Sequence, residues 1–173
     1  QSSILMTTPY RTFTVKDRQV FDLELLLTGG FAPLAGFMNE ADYVSVVESM
    51  RLADGRLWPI PIVLDVPESA PYTVGERIVL KDVYGHELAY LDIESRSRPD
   101  KLREVTLVYG TDSIEHPGVR YVLNQTHDTY VGGTLTPIAP PARHDFREYR
   151  YTPDQLKARF AERGWDEVVA FQT

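Results

Sequence analysis

The sequence has no cysteine among its 173 residues. That excludes a disulfide scaffold, a thiolate zinc site and a cysteine nucleophile. Basic residues are in deficit: 18 Lys and Arg stand against 25 Asp and Glu, for a net charge of −7. A surface of that sign opposes a nucleic-acid partner held by phosphate neutralisation. No apolar run approaches the roughly 18 residues of a membrane span. Residues 1–8 carry neither the basic start nor the long apolar core of a secretory signal. Phosphate-binding glycine motifs are missing as well, both the G-x-x-x-x-G-K-[ST] loop and G-x-G-x-x-G, and there is no G-x-S-x-G nucleophile elbow. With 43% hydrophobic and 25% charged residues, the expectation is an ordinary soluble, cytoplasmic, acidic globular chain.

Apolar spacing carries most of what can be read. A helix is predicted over 17–27, where Val20, Leu23 and Leu27 share a face and Gly29-Gly30 supply the stop. A second is predicted over 40–50, capped by Asn39 and striped by Tyr43, Val46, Val47 and Met50. The loop between them, 29–38, is unusually apolar, so Phe31 and Phe37 are expected to plug the core. Trp58-Pro59-Ile60-Pro61 must be extended, and 62–66 reads as a short buried strand. Two further strands, 76–81 and 87–93, are joined by a hairpin at Tyr84-Gly85. Helical spacing returns over 100–109 through Leu102, Val105 and Val108, and Pro117 opens a short helical turn. A strand over 130–138 is interrupted by Gly132-Gly133. Short strands with interleaved short helices predict a mainly β, α+β fold: a small barrel decorated by helices.

The end of the chain differs in kind. Thr152-Pro153-Asp154-Gln155 is a capping box for a helix that Gly164 ends, and Val168-Val169-Ala170-Phe171 reads as a buried parallel strand. Such a strand needs neighbours and a following helix. The expectation is therefore a second domain that has only begun, with 137–151 as the linker to it.

Residue types alone offer no self-sufficient active site. His86, His116, His127 and His144 have no metal-ligand spacing with one another, so surface or capping roles are expected. Arg143, Arg147 and Arg150 lie among Asp145 and Glu148, which reads as a mixed surface. Asn124-Gln125-Thr126 matches a glycosylation sequon, a frequent chance pattern.

Four unusual strings nevertheless run in order along nearly the whole chain. They are Asp17 to Leu25 with Gly29-Gly30-Phe31-Ala32-Pro33-Leu34-Ala35-Gly36-Phe37-Met38; Arg51-Leu52 with Leu57-Trp58-Pro59-Ile60-Pro61-Ile62 and Leu64-Asp65-Val66; Tyr109-Gly110-Thr111-Asp112 with His116-Pro117-Gly118-Val119; and Val168 to Thr173. Together they resemble the start of the ATP sulfurylase (sulfate adenylyltransferase) family. Two departures are visible. The Pro-His-Gly-Gly string common early in that family is missing, and Ala32 stands where the family often has serine.

The resemblance implies a PUA-like β-barrel as the N-terminal domain, residues 1–150. It implies that residues 151–173 are the first helix and strand of a doubly wound α/β catalytic domain of nucleotidyltransferase type. In such sheets ligands bind beyond the carboxyl ends of the strands. Gln172 would contact sulfate or nucleotide, and Thr173 would be a catalytic and substrate-binding residue; no protein ligand to a metal is implied in this chain. The family joins ATP, with Mg2+, to sulfate, giving adenylyl sulfate and pyrophosphate. Its arginine, asparagine and two histidines of the active site have no counterpart up to Thr173. This chain alone is therefore expected to be inactive, with its own catalytic domain as partner and a possible homo-oligomer. The alternative from another class is a stand-alone PUA-like RNA-binding module, which the acidic balance opposes.

Overall fold

The computed structural model describes residues 10–138. The elements run β1 (Arg11–Thr14), α1 (Asp17–Leu27), β2 (Gly36–Phe37), α2 (Glu40–Ser49), β3 (Leu64–Val66), β4 (Arg77–Lys81), β5 (Glu87–Ser97), α3 (Lys101–Tyr109), α4 (Pro117–Asn124) and β6 (Thr129–Pro137). This is the expected α+β class. The strands form one mixed six-stranded sheet in the order β1-β4-β5-β6-β2, with β3 also paired to β6. The β1–β4 pair is parallel, and the others are antiparallel. The expected second-domain elements and the 137–151 linker fall almost wholly outside the described residues.

Both early helices form where the spacing and caps put them. Gln19 Oε1 accepts from the Lys16 backbone N–H at 3.0 Å, tying down the start of α1. At its end the Thr28 hydroxyl donates to the Glu24 carbonyl, and Gly29 takes φ +82°, a region open to glycine without strain. Asn39 Oδ1 accepts from Asp42 N–H and caps α2. Val20, Leu23, Tyr43, Val46 and Val47 enter the core, but Met50 is half exposed, because it turns left-handed (φ 57°) to end α2 rather than extending its stripe. The apolar loop does plug the core. Phe31 packs edge-on to Trp58 at 5.8 Å, and Phe37 and Met38 are buried. The β3–β4 loop is fastened by Arg96, whose guanidinium donates to the carbonyls of Glu68, Ala70 and Tyr72.

Two strand expectations need correction. Gly132-Gly133 does not interrupt β6, which runs unbroken from Thr129 to Pro137. Along one edge β6 pairs with β5. Along the other it pairs first with β3 and then with β2. The glycines are there because other backbone crosses at that point. A Cβ on Gly132 would lie 2.0 Å from the Met38 carbonyl oxygen, and one on Gly133 would lie 1.8 Å from that of Asp92. The second correction is that β5 continues past Ile93 to Ser97, across a register shift between Ile93 and Ser95 opposite these glycines.

Gly132→Ala is expected to cost about 3 kcal/mol or more, since the obstacle is backbone that cannot step aside. Gly85→Ala, at φ +85° in open space, should cost only about 1 kcal/mol through its backbone conformation. Urea unfolding of the two variants checks this, and similar costs would refute the crossing argument.

Candidate functional site

Four of the six buried polar side chains among the described residues converge on one place. Against a core of aliphatic and aromatic side chains, Gln19, Asp22, Asp65 and Glu104 are each at most 5% exposed. They line a cavity of about 50 Å³ together with Arg18, Tyr121 and Tyr130. The surrounding walls come from α1, the 60–65 segment, α3, α4 and β6.

Asp65 is held from two sides. Gln19 Nε2 donates to its Oδ1 at 2.5 Å, and the His127 backbone N–H donates to its Oδ2 at 2.9 Å. Glu104 accepts on one oxygen from two phenols, Tyr43 at 2.6 Å and Tyr130 at 3.0 Å. The two rings meet edge-to-face at 5.3 Å. Burial pushes the Glu104 carboxyl above its ordinary range, against the opposing pull of the two hydroxyls and Lys101. Burial, followed by the Glu104 charge, likewise raises both phenols. Arg18 lies over the Tyr121 ring at 3.6 Å, a cation–π contact.

The chemistry open to this arrangement is limited. A water-sized space suits one or two solvent molecules, whereas small-molecule sites run to roughly 300–1,000 Å³. Among the described residues no three acidic or histidine side chains are grouped to hold a metal ion. Residues 10–138 carry 12 basic and 19 acidic side chains, and 139–173 carry six of each, so the whole net charge of −7 lies on the described part.

The site residues expected from the sequence are not among the described residues. Gln172 and Thr173 fall outside the described residues, as do His144, Arg143, Arg147 and Arg150. The other histidines lie far apart in function. His116 caps α4, its Nδ1 accepting from Gly118 N–H. His86 pairs with Asp82 at 2.9 Å. His127 contributes its backbone to Asp65. Sequence reasoning missed Glu104, Gln19 and Asp65. Asp65 had a signal, as the one polar side chain inside an apolar run of strand. Glu104 had none, because its helix was expected to face inward through Leu102, which is in fact exposed. The inward stripe of α3 is Lys101, Glu104, Val105 and Val108, a helical face whose first two members are charged.

A family profile described as a PUA-like domain matches residues 5–140. The chain belongs to the PUA-like domain family. The curated relatives of this PUA-like chain include the protein named sulfate adenylyltransferase of Schizosaccharomyces pombe, 44% identical over 163 residues, which covers 92% of this chain and 33% of that protein. The one of Gibberella zeae is 45% identical over 165 residues, covering 92% and 29%. The one of Debaryomyces hansenii is 42% identical over 177 residues, covering 95% and 33%. The PUA-like chain thus spans about a third of the length of these relatives. Among solved structures it is similar to the hexameric APS kinase from Thiobacillus denitrificans, with a TM-score of 0.58 and 28% identity over 92% of this chain and 27% of that one. No described helix is long and apolar enough to cross a membrane.

The twin donors to Glu104 generate a thermodynamic prediction. Tyr43→Phe and Tyr130→Phe should each cost about 0.5–2 kcal/mol, since one hydroxyl still serves the carboxylate. The double variant should exceed their sum by about 1 kcal/mol, because the buried oxygen then has neither. A urea double-mutant cycle measures the coupling, and simple additivity would contradict it.

Proposed function

We propose that this chain is the N-terminal portion of a sulfate adenylyltransferase, in which the PUA-like domain supports a catalytic domain rather than performing the chemistry. The observation that carries this reading is 42–46% identity to proteins of that name across more than nine-tenths of this chain. The reaction joins sulfate to ATP: a sulfate oxygen bonds to the α-phosphorus, the α–β phosphoanhydride bond breaks, and pyrophosphate leaves. Mg2+ accompanies ATP as part of the substrate. In this reading residues 1–150 form the supporting domain and 151–173 begin the catalytic one. Gln172 contacts sulfate or nucleotide, and Thr173 belongs to the catalytic set. The enzyme works in the cytoplasm. Its assembly as a homo-oligomer is supported by the similar APS kinase from Thiobacillus denitrificans, which is hexameric.

Two physical features support assigning the chemistry elsewhere. Bringing two anions together requires cations and aligned donors around the transferring phosphoryl group. The described residues instead carry all of the negative excess, a poor funnel for sulfate and ATP. Their polar cavity, at about 50 Å³, is far below the size of a nucleotide site. Gln172 can hydrogen-bond an oxyanion but cannot neutralise it.

The test is pyrophosphate release from ATP, Mg2+ and sulfate, run with this chain alone and with the longer parent protein. The expected outcome is turnover by the parent and background rates for this chain. Turnover by the chain alone would overturn its supporting role, and silence of the parent would overturn the activity.

A further inference from the structure

The connection between β5 and β6 departs from the way these two strands are paired. They are hydrogen-bonded neighbours, and Ser97 at the end of β5 sits opposite Tyr130 near the start of β6. A short turn would suffice to join them. The chain instead makes an excursion over residues 98–128, most of it α3 and α4. Both ends of the excursion therefore leave the sheet from adjacent positions, as the two leaves of a hinge do.

The excursion has its own small core of Val105, Val119 and Val122, separate from the main one. The main partner of α4 is α3. Toward the main core, α3 offers one half-buried valine, Val108. Several other contacts across the seam are polar: Glu104 with the hydroxyls of Tyr43 and Tyr130, Arg103 with Glu48 of α2, the His127 N–H with Asp65, and Lys16 Nζ with the Gln125 carbonyl. Arg18 lies over the Tyr121 ring, and Tyr109 and Val122 share the cavity wall with Ile60, Pro61 and Val63. The polar cavity lies along this same seam, with α1, β3 and β6 on one side and α3 and α4 on the other. Opening an apolar interface costs its whole burial energy. A polar one regains water hydrogen bonds as it opens, so such regions open below the global unfolding energy.

We propose that α3 and α4 form a hinged flap that swings from the sheet as a unit, latched by Glu104 against Tyr43 and Tyr130, and that its opening exposes the polar cavity. The inference concerns the fold itself and does not depend on the activity proposed above.

The latch is sensitive to pH. Facing Glu104 are Tyr43 from α2 and Tyr130 from β6, with Lys101 and Asp100 at the start of its own helix. Asp65 of β3 and Arg18 and Asp22 of α1 lie along the same cavity. Closed, the carboxyl titrates above its ordinary value of 4.5 because it is desolvated. Open, it meets water and returns to that range. Opening therefore releases a proton, and the open population grows as pH rises from the ordinary carboxyl range through the closed-state value.

The chain lacks cysteine, so a single introduced thiol reports opening. Val122→Cys places it against the cavity, and Val131→Cys places it in the main core. With dithiodipyridine as probe, the Val122→Cys chain should label at least about tenfold faster, with a shallower urea dependence, the mark of sub-global opening. Equal rates with equal urea dependence would overturn the flap. Corrected for thiol ionisation against an unfolded peptide, labelling of Val122→Cys should rise with pH, and adding Glu104→Gln should abolish that rise. A rise that survives Glu104→Gln overturns the latch. Should Glu104→Gln fail to fold, amide exchange of the unsubstituted chain reads the same trend. Opening of α3 and α4 should gain with pH relative to β4 and β5, and a pH-independent ratio overturns the latch.

Discussion

Backbone passes over backbone at Gly36, Gly132 and Gly133, and the rest of the sheet is arranged around that crossing. A Cβ on any of the three would lie within 2.0 Å of a carbonyl oxygen, on Gly133, Met38 and Asp92 respectively. Only hydrogen in place of a side chain lets β6 be approached this closely from both edges. That approach is what lets one strand of nine residues pair with β5 on one edge and with β3 and β2 in turn on the other. It also places Phe37 and Met38, which precede α2, directly in the core. The register shift in β5 sits opposite the same glycines, so the strand irregularity and the glycine pair are two sides of one accommodation.

Beyond the crossing, two kinds of interior meet. The main core is built of aliphatic and aromatic side chains, and it supplies the bulk of the driving force for folding. The α3–α4 layer adds a core of three valines and then joins the sheet through carboxylates, phenols and a backbone N–H. Burying an acid there is unfavourable unless its lone pairs are satisfied. The two phenols on one oxygen of Glu104 meet that requirement and also tie α2 and β6 to α3. Such a network fixes geometry more than it adds stability, since each net hydrogen bond contributes only about 1 kcal/mol.

The sequence reading did best where spacing and caps agreed. The stripe and glycine stop of α1, the Asn39 cap of α2, the proline start of α4 and the hairpin at Gly85 were all visible, because each is a local device. β1 went unseen, since four residues of an edge strand, three of them exposed, show no alternation. Gly132-Gly133 was misread because a glycine's need for close approach depends on backbone distant in the chain, here at Met38 and Asp92. In α3 Val105 and Val108 face inward as their spacing predicts, but Leu102 is exposed, because apolar counting cannot select a stripe that begins with Lys101 and Glu104. Of the polar site, Asp65 stood out as an anomaly in its strand, while its partners Gln19 and His127 are joined to it only by the fold. The family resemblance rested on strings of residues, not on periodicity, and those strings include the core loop and Trp58 to Ile62, whose burial now explains their unusual apolar content.

Charge adds a last constraint on what such a domain can do. The basic side chains of the described region are largely spent on local partners: Arg77 on Asp92, Arg98 on Glu68, Arg103 on Glu48, and Arg96 on three carbonyls. Arginine clusters recognise phosphate and sulfate by presenting free forks to solvent. Forks already occupied by carboxylates and carbonyls on a surface of net charge −7 offer an anion little to bind. The same pairs hold loops and strand ends in place, Arg96 most directly. These cationic side chains of the PUA-like domain therefore serve its shape.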